Sequence, residues 1–187
     1  MIWAEGCIIW AVNRSVAFGC SNTVGEACDT NWPKELGILL DCEVINCAEI
    51  GCSGRYIIHA MRHFQFEKDD VCIVAWPEVT RYCWLKEENN FEHIGVWKDS
   101  DSTLYRKYFS DYHAEQDFYM YEDYARLYAK RNNITYFDYL SCYTFVNTKK
   151  HKMELHDYGT DNKHPGKLSH KIFAQQIRKD LKDGAVL

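Results

Sequence analysis

Apolar positions along the chain alternate between two spacings. Ser15 to Phe18 forms a short apolar run entering Gly19, Cys20 and Ser21, and Glu43 to Cys47, Val71 to Trp76 and Ile134 to Tyr139 form further strand-like runs. Val71 to Trp76 is apolar throughout, follows the Asp69-Asp70 turn and stops at Pro77. That is the pattern of a central parallel strand buried on both faces. Between these runs the spacing becomes helical. Pro33 suits a first helical turn, and Leu36, Leu39 and Leu40 give that helix an apolar face that Asp41 closes. Tyr56, Ile57, Ala60, Met61 and Phe64 share one face of a second helix, for which Ser53 is the expected N-cap. Phe118, Tyr121, Ala125 and Tyr128 do the same for a helix from about His113 to Arg131. A final helix after Pro165 is expected to turn Leu168, Ile172, Phe173, Ile177 and Leu181 inward.

Strands and helices alternating in this order predict an α/β fold: a three-layer α/β/α sandwich with a parallel, flavodoxin-like sheet. A chain of 187 residues and 22.0 kDa suits one core, so a single domain over residues 1–187 is expected. Residues from about 78 to 112 are polar, aromatic and poorly periodic, and read as an insertion over the C-terminal edge of the sheet. In such sheets binding sites lie at the carboxyl ends of the strands. That directs attention to Gly19–Gly25, Ala48–Ser53, Trp76–Arg81 and the segment before the last helix.

Composition narrows the function classes. Apolar residues at 47% supply a sizeable core, and a net charge of −5 with a pI near 5.9 offers no general attraction to phosphate backbones. Nucleic acid is therefore not an expected partner. The one basic stretch, Lys149 to Lys152, reads as a solvated loop. The apolar run Cys7 to Val12 follows Glu5 and is far too short to span a bilayer, so it reads as neither signal peptide nor anchor, and no membrane partner is expected. Nine cysteines, an odd number and without a Cys-x-x-Cys pair, read as reduced thiols packed as small hydrophobes.

The candidate chemistry begins at Ser21. It follows a buried strand within Gly19-Cys20-Ser21-Asn22-Thr23-Val24-Gly25, where glycines permit a tight turn that presents the hydroxyl at the sheet edge. A serine hydroxyl needs an adjacent base to attack an ester at neutral pH. Asp161-Asn162-Lys163-His164-Pro165, just before the last helix, supplies an imidazole and a carboxylate to orient it.

With that order and placement the chain resembles the SGNH (GDSL-like) hydrolases, whose first block sets Gly-x-Ser after the first strand and whose last reads Asp-x-x-His before the terminal helix. It looks most like the small stand-alone SGNH-like proteins of tailed bacteriophages. The second block is matched by Asn46 to Ser53, in which the resemblance gives the Gly51 N–H, beside that of Ser21, to an oxyanion hole. The third block is not matched. Trp76-Pro77-Glu78-Val79-Thr80-Arg81 stands where the family has Gly-x-Asn-Asp, which leaves Thr80 and Arg81 as candidate substitutes for the missing Asn donor. The resemblance implies a serine esterase of short acyl esters, possible carbohydrate esters among them. It implies no cofactor, and a place in the host cytoplasm or the virion. The alternative it leaves open is a phage structural or host-interaction protein that keeps the fold without an efficient site.

Other residues compete for attention. Ser53 in Gly51-Cys52-Ser53 is a rival nucleophile, explained more simply as a helix cap, and Cys20 and Cys52 are expected to be buried. His59 and His63 have metal-pair spacing, but without a third ligand they read as a solvent-facing stripe, and no metal is expected. His151 and His156 lie close enough in sequence to His164 to line the same cleft. Ten of the thirteen tyrosines fall between Tyr105 and Tyr143. Tyr121 and Tyr128 are assigned to packing, and Tyr105, Tyr108 and Tyr112 remain candidate substrate contacts.

Overall fold

The computed structural model describes residues 12–87, 90–95, 107, 109–142, 144, 146 and 148–184. In chain order its elements are β1 (Arg14–Phe18), α1 (Ser21–Val24), α2 (Trp32–Leu40), β2 (Glu43–Asn46), α3 (Gly54–His63), β3 (Val71–Trp76), β4 (Tyr82–Glu87), β5 (Asn90–Ile94), α4 (Asp111–Arg131), β6 (Thr135–Leu140) and α5 (Lys167–Asp183). Four strands form a parallel sheet in the order β2-β1-β3-β6. Its register sets Ser15 opposite both Val44 and Val71, and Val74 opposite Asp138.

Successive strand residues point to opposite faces, so each face has its own core. Ala17, Val71, Ile73, Ala75, Phe137 and Tyr139 meet Trp32 and Leu36 of α2 and Phe173, Ala174, Ile177 and Leu181 of α5. Val16, Phe18, Cys72, Val74, Trp76 and Leu140 meet Ile57 and Met61 of α3 and Phe118 and Ala125 of α4. These are the three layers of an α/β/α sandwich. All six residues of β3 are buried, as its unbroken apolar run requires.

Within the segment read as an insertion, β4 and β5 pair antiparallel, apart from the main sheet. Of that hairpin only Cys83 and Ile94 are buried, too few to impose a visible period on the sequence. Leu168 is exposed, not inward, because Asp157 accepts hydrogen bonds from the Leu168 and Ser169 N–H groups at 2.9 and 2.8 Å and thereby sets the phase of α5. The inward residues of its first turn are Ser169 and His170. Nor is the basic stretch simply a solvated loop. Lys150 is buried between Asp138 (2.6 Å) and Glu122 (3.1 Å), and Asp138 also accepts from Trp76 Nε1 at 3.1 Å. No helix of the described residues is long and apolar enough to cross a membrane.

Candidate active site

Ser21 owes its position to a tight exit from β1. A Cβ on Gly19 would stand 2.0 Å from Thr23 Oγ1 and 3.1 Å from the Ala75 carbonyl, so only glycine lets the chain turn there. Thr23 is itself held in place, its hydroxyl accepting from the buried Trp32 Nε1 at 3.2 Å and its carbonyl from Asn46 Nδ2 at 3.0 Å. Between Ser21 and Thr23, Asn22 Nδ2 donates to Ser141 Oγ at 2.5 Å, tying the turn to the end of β6. Gly25, at φ +85°, closes α1 and donates to the Ser21 carbonyl at 2.9 Å. Ser21 is thus the first residue of a one-turn helix clamped by groups from β2, α2 and the β6 end.

Asp161 and His164 arrive on a narrow strap. Tyr158 and Pro165 pair antiparallel, Gly159 donates to the His164 carbonyl at 2.8 Å, and Asn162 turns the tip at φ +55°. Asp161 Oδ1 accepts from the backbone N–H groups of Lys163 (2.9 Å) and His164 (3.0 Å). Its Oδ2 lies 2.5 Å from His164 Nδ1. The His164 backbone N–H first, then its ring and the Lys163 N–H, hold the Asp161 carboxyl well below the usual carboxylate range. A carboxylate only accepts hydrogen bonds, so the Nδ1 facing it carries the proton. In the neutral imidazole, Nε2 then presents a lone pair, and Nε2 is 3.2 Å from Ser21 Oγ.

The strap is docked on the serine loop. Thr160 donates to the Ala27 carbonyl through its N–H at 2.8 Å and its hydroxyl at 3.2 Å. A Cβ on Gly159 would come within 2.5 Å of that same oxygen. Ala27 adopts φ +61°, a left-handed conformation that costs a non-glycine residue about 1–2 kcal/mol. The docking also brings in a carboxylate that sequence reasoning overlooked: Glu26 Oε2 lies 3.2 Å from His164 Nε2, from which it accepts a hydrogen bond only once that nitrogen has taken up a proton. Nothing in residue spacing marks Glu26. The available signal is its place directly after Gly25, five residues on from Ser21.

The remaining candidates fall in different places. Gly51, at φ +74°, lies in a loop hung from the Gly19 carbonyl, which accepts from the Glu49 N–H and from Cys52 Sγ, each at 3.1 Å. Among the described residues neither the Ser21 nor the Gly51 N–H donates to a backbone carbonyl. Arg81, which follows Thr80, lines a separate cavity of about 240 Å³ with Ser53, Glu78, Tyr82, Trp84 and Tyr121. Ser21, Asp161 and His164 do not line it. Ser53 occupies the N-cap position of α3, yet its hydroxyl makes no capping bond. Cys20 and Cys52 are buried, and burial pushes the Cys52 thiol well up, away from the thiolate a nucleophile needs.

Tyr112 is exposed on the first turn of α4, while Tyr105 and Tyr108 lie outside the described residues. Tyr121 and Tyr128 pack on the core beside Phe118 and Ala125. His59 is partly covered by the Phe91 ring at 4.6 Å, and the exposed His63 lies against the His59 ring at 4.1 Å with its Nδ1 2.9 Å from the His59 carbonyl. His151 pairs with Asp180 at 3.0 Å and His156 with Glu154 at 3.5 Å, partners other than Ser21 and His164. Among the described residues no cluster of three His, Cys, Asp or Glu is placed to hold a metal ion.

No protein-family model matches the chain, and no curated protein matches it. Solved structures similar to it include two G-D-S-L-family proteins. One is a G-D-S-L-family protein of Desulfitobacterium hafniense DCB-2, 16% identical, with a TM-score of 0.43 over 94% of this chain and 75% of that one. The other is a member of the lipolytic protein G-D-S-L family from Veillonella parvula DSM 2008, 13% identical, with a TM-score of 0.45 over 93% of this chain and 99% of that one.

Proposed function

We propose that the protein is a serine hydrolase of the SGNH type that cleaves short acyl esters, esters of carbohydrates among them. The observation that carries this reading is the continuous line of contacts from Asp161 Oδ2 to His164 Nδ1 (2.5 Å) and from His164 Nε2 to Ser21 Oγ (3.2 Å). Those are the distances over which a base can take a hydroxyl proton. In this mechanism His164 Nε2 accepts the Ser21 proton as Oγ attacks the acyl carbon. Asp161 keeps the imidazole in the useful tautomer and stabilises the imidazolium. The same proton passes to the departing alkoxide, and a water activated by His164 then hydrolyses the acyl-enzyme.

The backbone N–H groups of Ser21 and Gly51 are the proposed oxyanion donors, with both loops joined at Gly19. No Asn follows β3, and the loss of one such donor costs about 100- to 1000-fold in rate, so turnover is expected to be slow. Arg81 and Thr80 are less well supported as substitutes, because Arg81 faces the cavity beside α3. The segment from about 78 to 112 is proposed as an insertion that shapes the approach to the site. The missing Asn also favours a second reading, a protein that keeps the fold for binding and has no efficient turnover. Hydrolysis of p-nitrophenyl acetate by the wild type, Ser21→Ala and His164→Ala separates the two. Turnover lost in both variants supports the hydrolase, and equal rates in all three refute it.

A further inference from the structure

His164 Nε2 has two oxygens at the same distance, Ser21 Oγ and Glu26 Oε2, both at 3.2 Å. Only Ser21 has a part in the reaction so far described. During acylation a bond forms between Ser21 Oγ and the acyl carbon, the bond from that carbon to the alcohol oxygen breaks, and the proton that left Oγ for Nε2 moves to the departing oxygen. The departing oxygen must therefore come within hydrogen-bond reach of Nε2. A departing oxygen within that reach brings the first carbons of the alcohol near the Glu26 carboxylate, which lies 3.2 Å from the same nitrogen.

The backbone that carries Glu26 is held in place. The Glu26 N–H donates to the Ser21 carbonyl at 3.1 Å. The next residue, Ala27, holds a left-handed backbone while its carbonyl takes two hydrogen bonds from Thr160, one residue before Asp161. Strained backbone that persists only because its surroundings enforce it is concentrated at functional sites. Here it fixes the loop carrying Glu26 against the strap carrying His164.

We propose that Glu26 is a specificity-determining residue that reads the leaving alcohol, favouring cationic alcohols of the amino-alcohol class over anionic ones. This rests on the hydrolase reading above. A carboxylate about a third exposed in the free protein is screened by solvent, and the preference is correspondingly modest. About tenfold in kcat/KM between matched cationic and anionic esters is expected at low salt, shrinking as salt is added.

The test uses three acetate esters that share one acyl group: 2-(trimethylammonio)ethyl acetate, its uncharged isostere 3,3-dimethylbutyl acetate, and 2-sulfonatoethyl acetate. Each is assayed by acid release with the wild type, Ser21→Ala, Glu26→Gln and Glu26→Lys. The readout is the cation-to-anion ratio of kcat/KM within each protein, so a general change in rate cancels. Support is a wild-type ratio near ten, falling toward one in Glu26→Gln and inverting in Glu26→Lys. A flat ratio in an active, Ser21-dependent wild type, or an unchanged ratio in Glu26→Gln, overturns the proposal alone. Absence of Ser21-dependent turnover of all three esters overturns the hydrolase reading and this proposal with it.

Discussion

His170 lies on the inward face of α5 with none of its surface exposed. Burial lowers its pKa from an ordinary 6.5 to about 4, against the opposing pull of the Asp157 and Glu35 carboxylates and the Pro165 carbonyl. The folded protein thus keeps this imidazole neutral at pH values where the unfolded chain protonates it. Stability from this residue is complete above pH 6.5, declines as pH falls toward 4, and levels off below 4, where both states are protonated. A difference of about 2.5 pH units at 1.36 kcal/mol each makes the loss about 3 kcal/mol, a large share of the stability of a domain this size. Urea unfolding followed by tryptophan fluorescence at pH 7.0, 5.5 and 4.0 measures it. His170→Leu, similar in volume and unable to titrate, provides the reference. Between pH 7.0 and 4.0 the wild type should lose about 3 kcal/mol more than the variant. Parallel losses in the two proteins would refute the reasoning.

Gly19→Ala should destabilise the fold by about 2–4 kcal/mol in thermal or urea unfolding, because its Cβ collides with Thr23 and with the Ala75 carbonyl of β3. Wild-type stability in that variant would mean the β1 exit is looser than described. Asp161→Asn should lower kcat about ten-thousand-fold by turning the imidazole to the wrong tautomer, measured as ester turnover. A full-rate Asp161→Asn enzyme would remove Asp161 from the mechanism.

Sequence and structure agree best where one interaction dominates. Val71 to Trp76 was legible as a central strand because burial on both faces leaves no polar position in it. Ser21, Asp161 and His164 stood out because each lies where a strand or loop meets a helix. The hairpin β4–β5 was not legible, since two buried residues carry no period. The outward turn of Leu168 and the burial of Lys150 depend on partners at a distance, Asp157 for one and Asp138 and Glu122 for the other. Glu26 belongs to the same class. Its meeting with His164 follows from the docking of Ala27 on Thr160, a contact between residues 133 positions apart that local pattern cannot reveal.

The measurement closest to the central claim is the site of covalent capture by a fluorophosphonate, read by intact mass and peptide mapping. One adduct per chain on Ser21, absent in Ser21→Ala and His164→Ala and retained in Ser53→Ala, is the predicted result. An adduct on Ser53, or none on the folded wild-type protein, would contradict it.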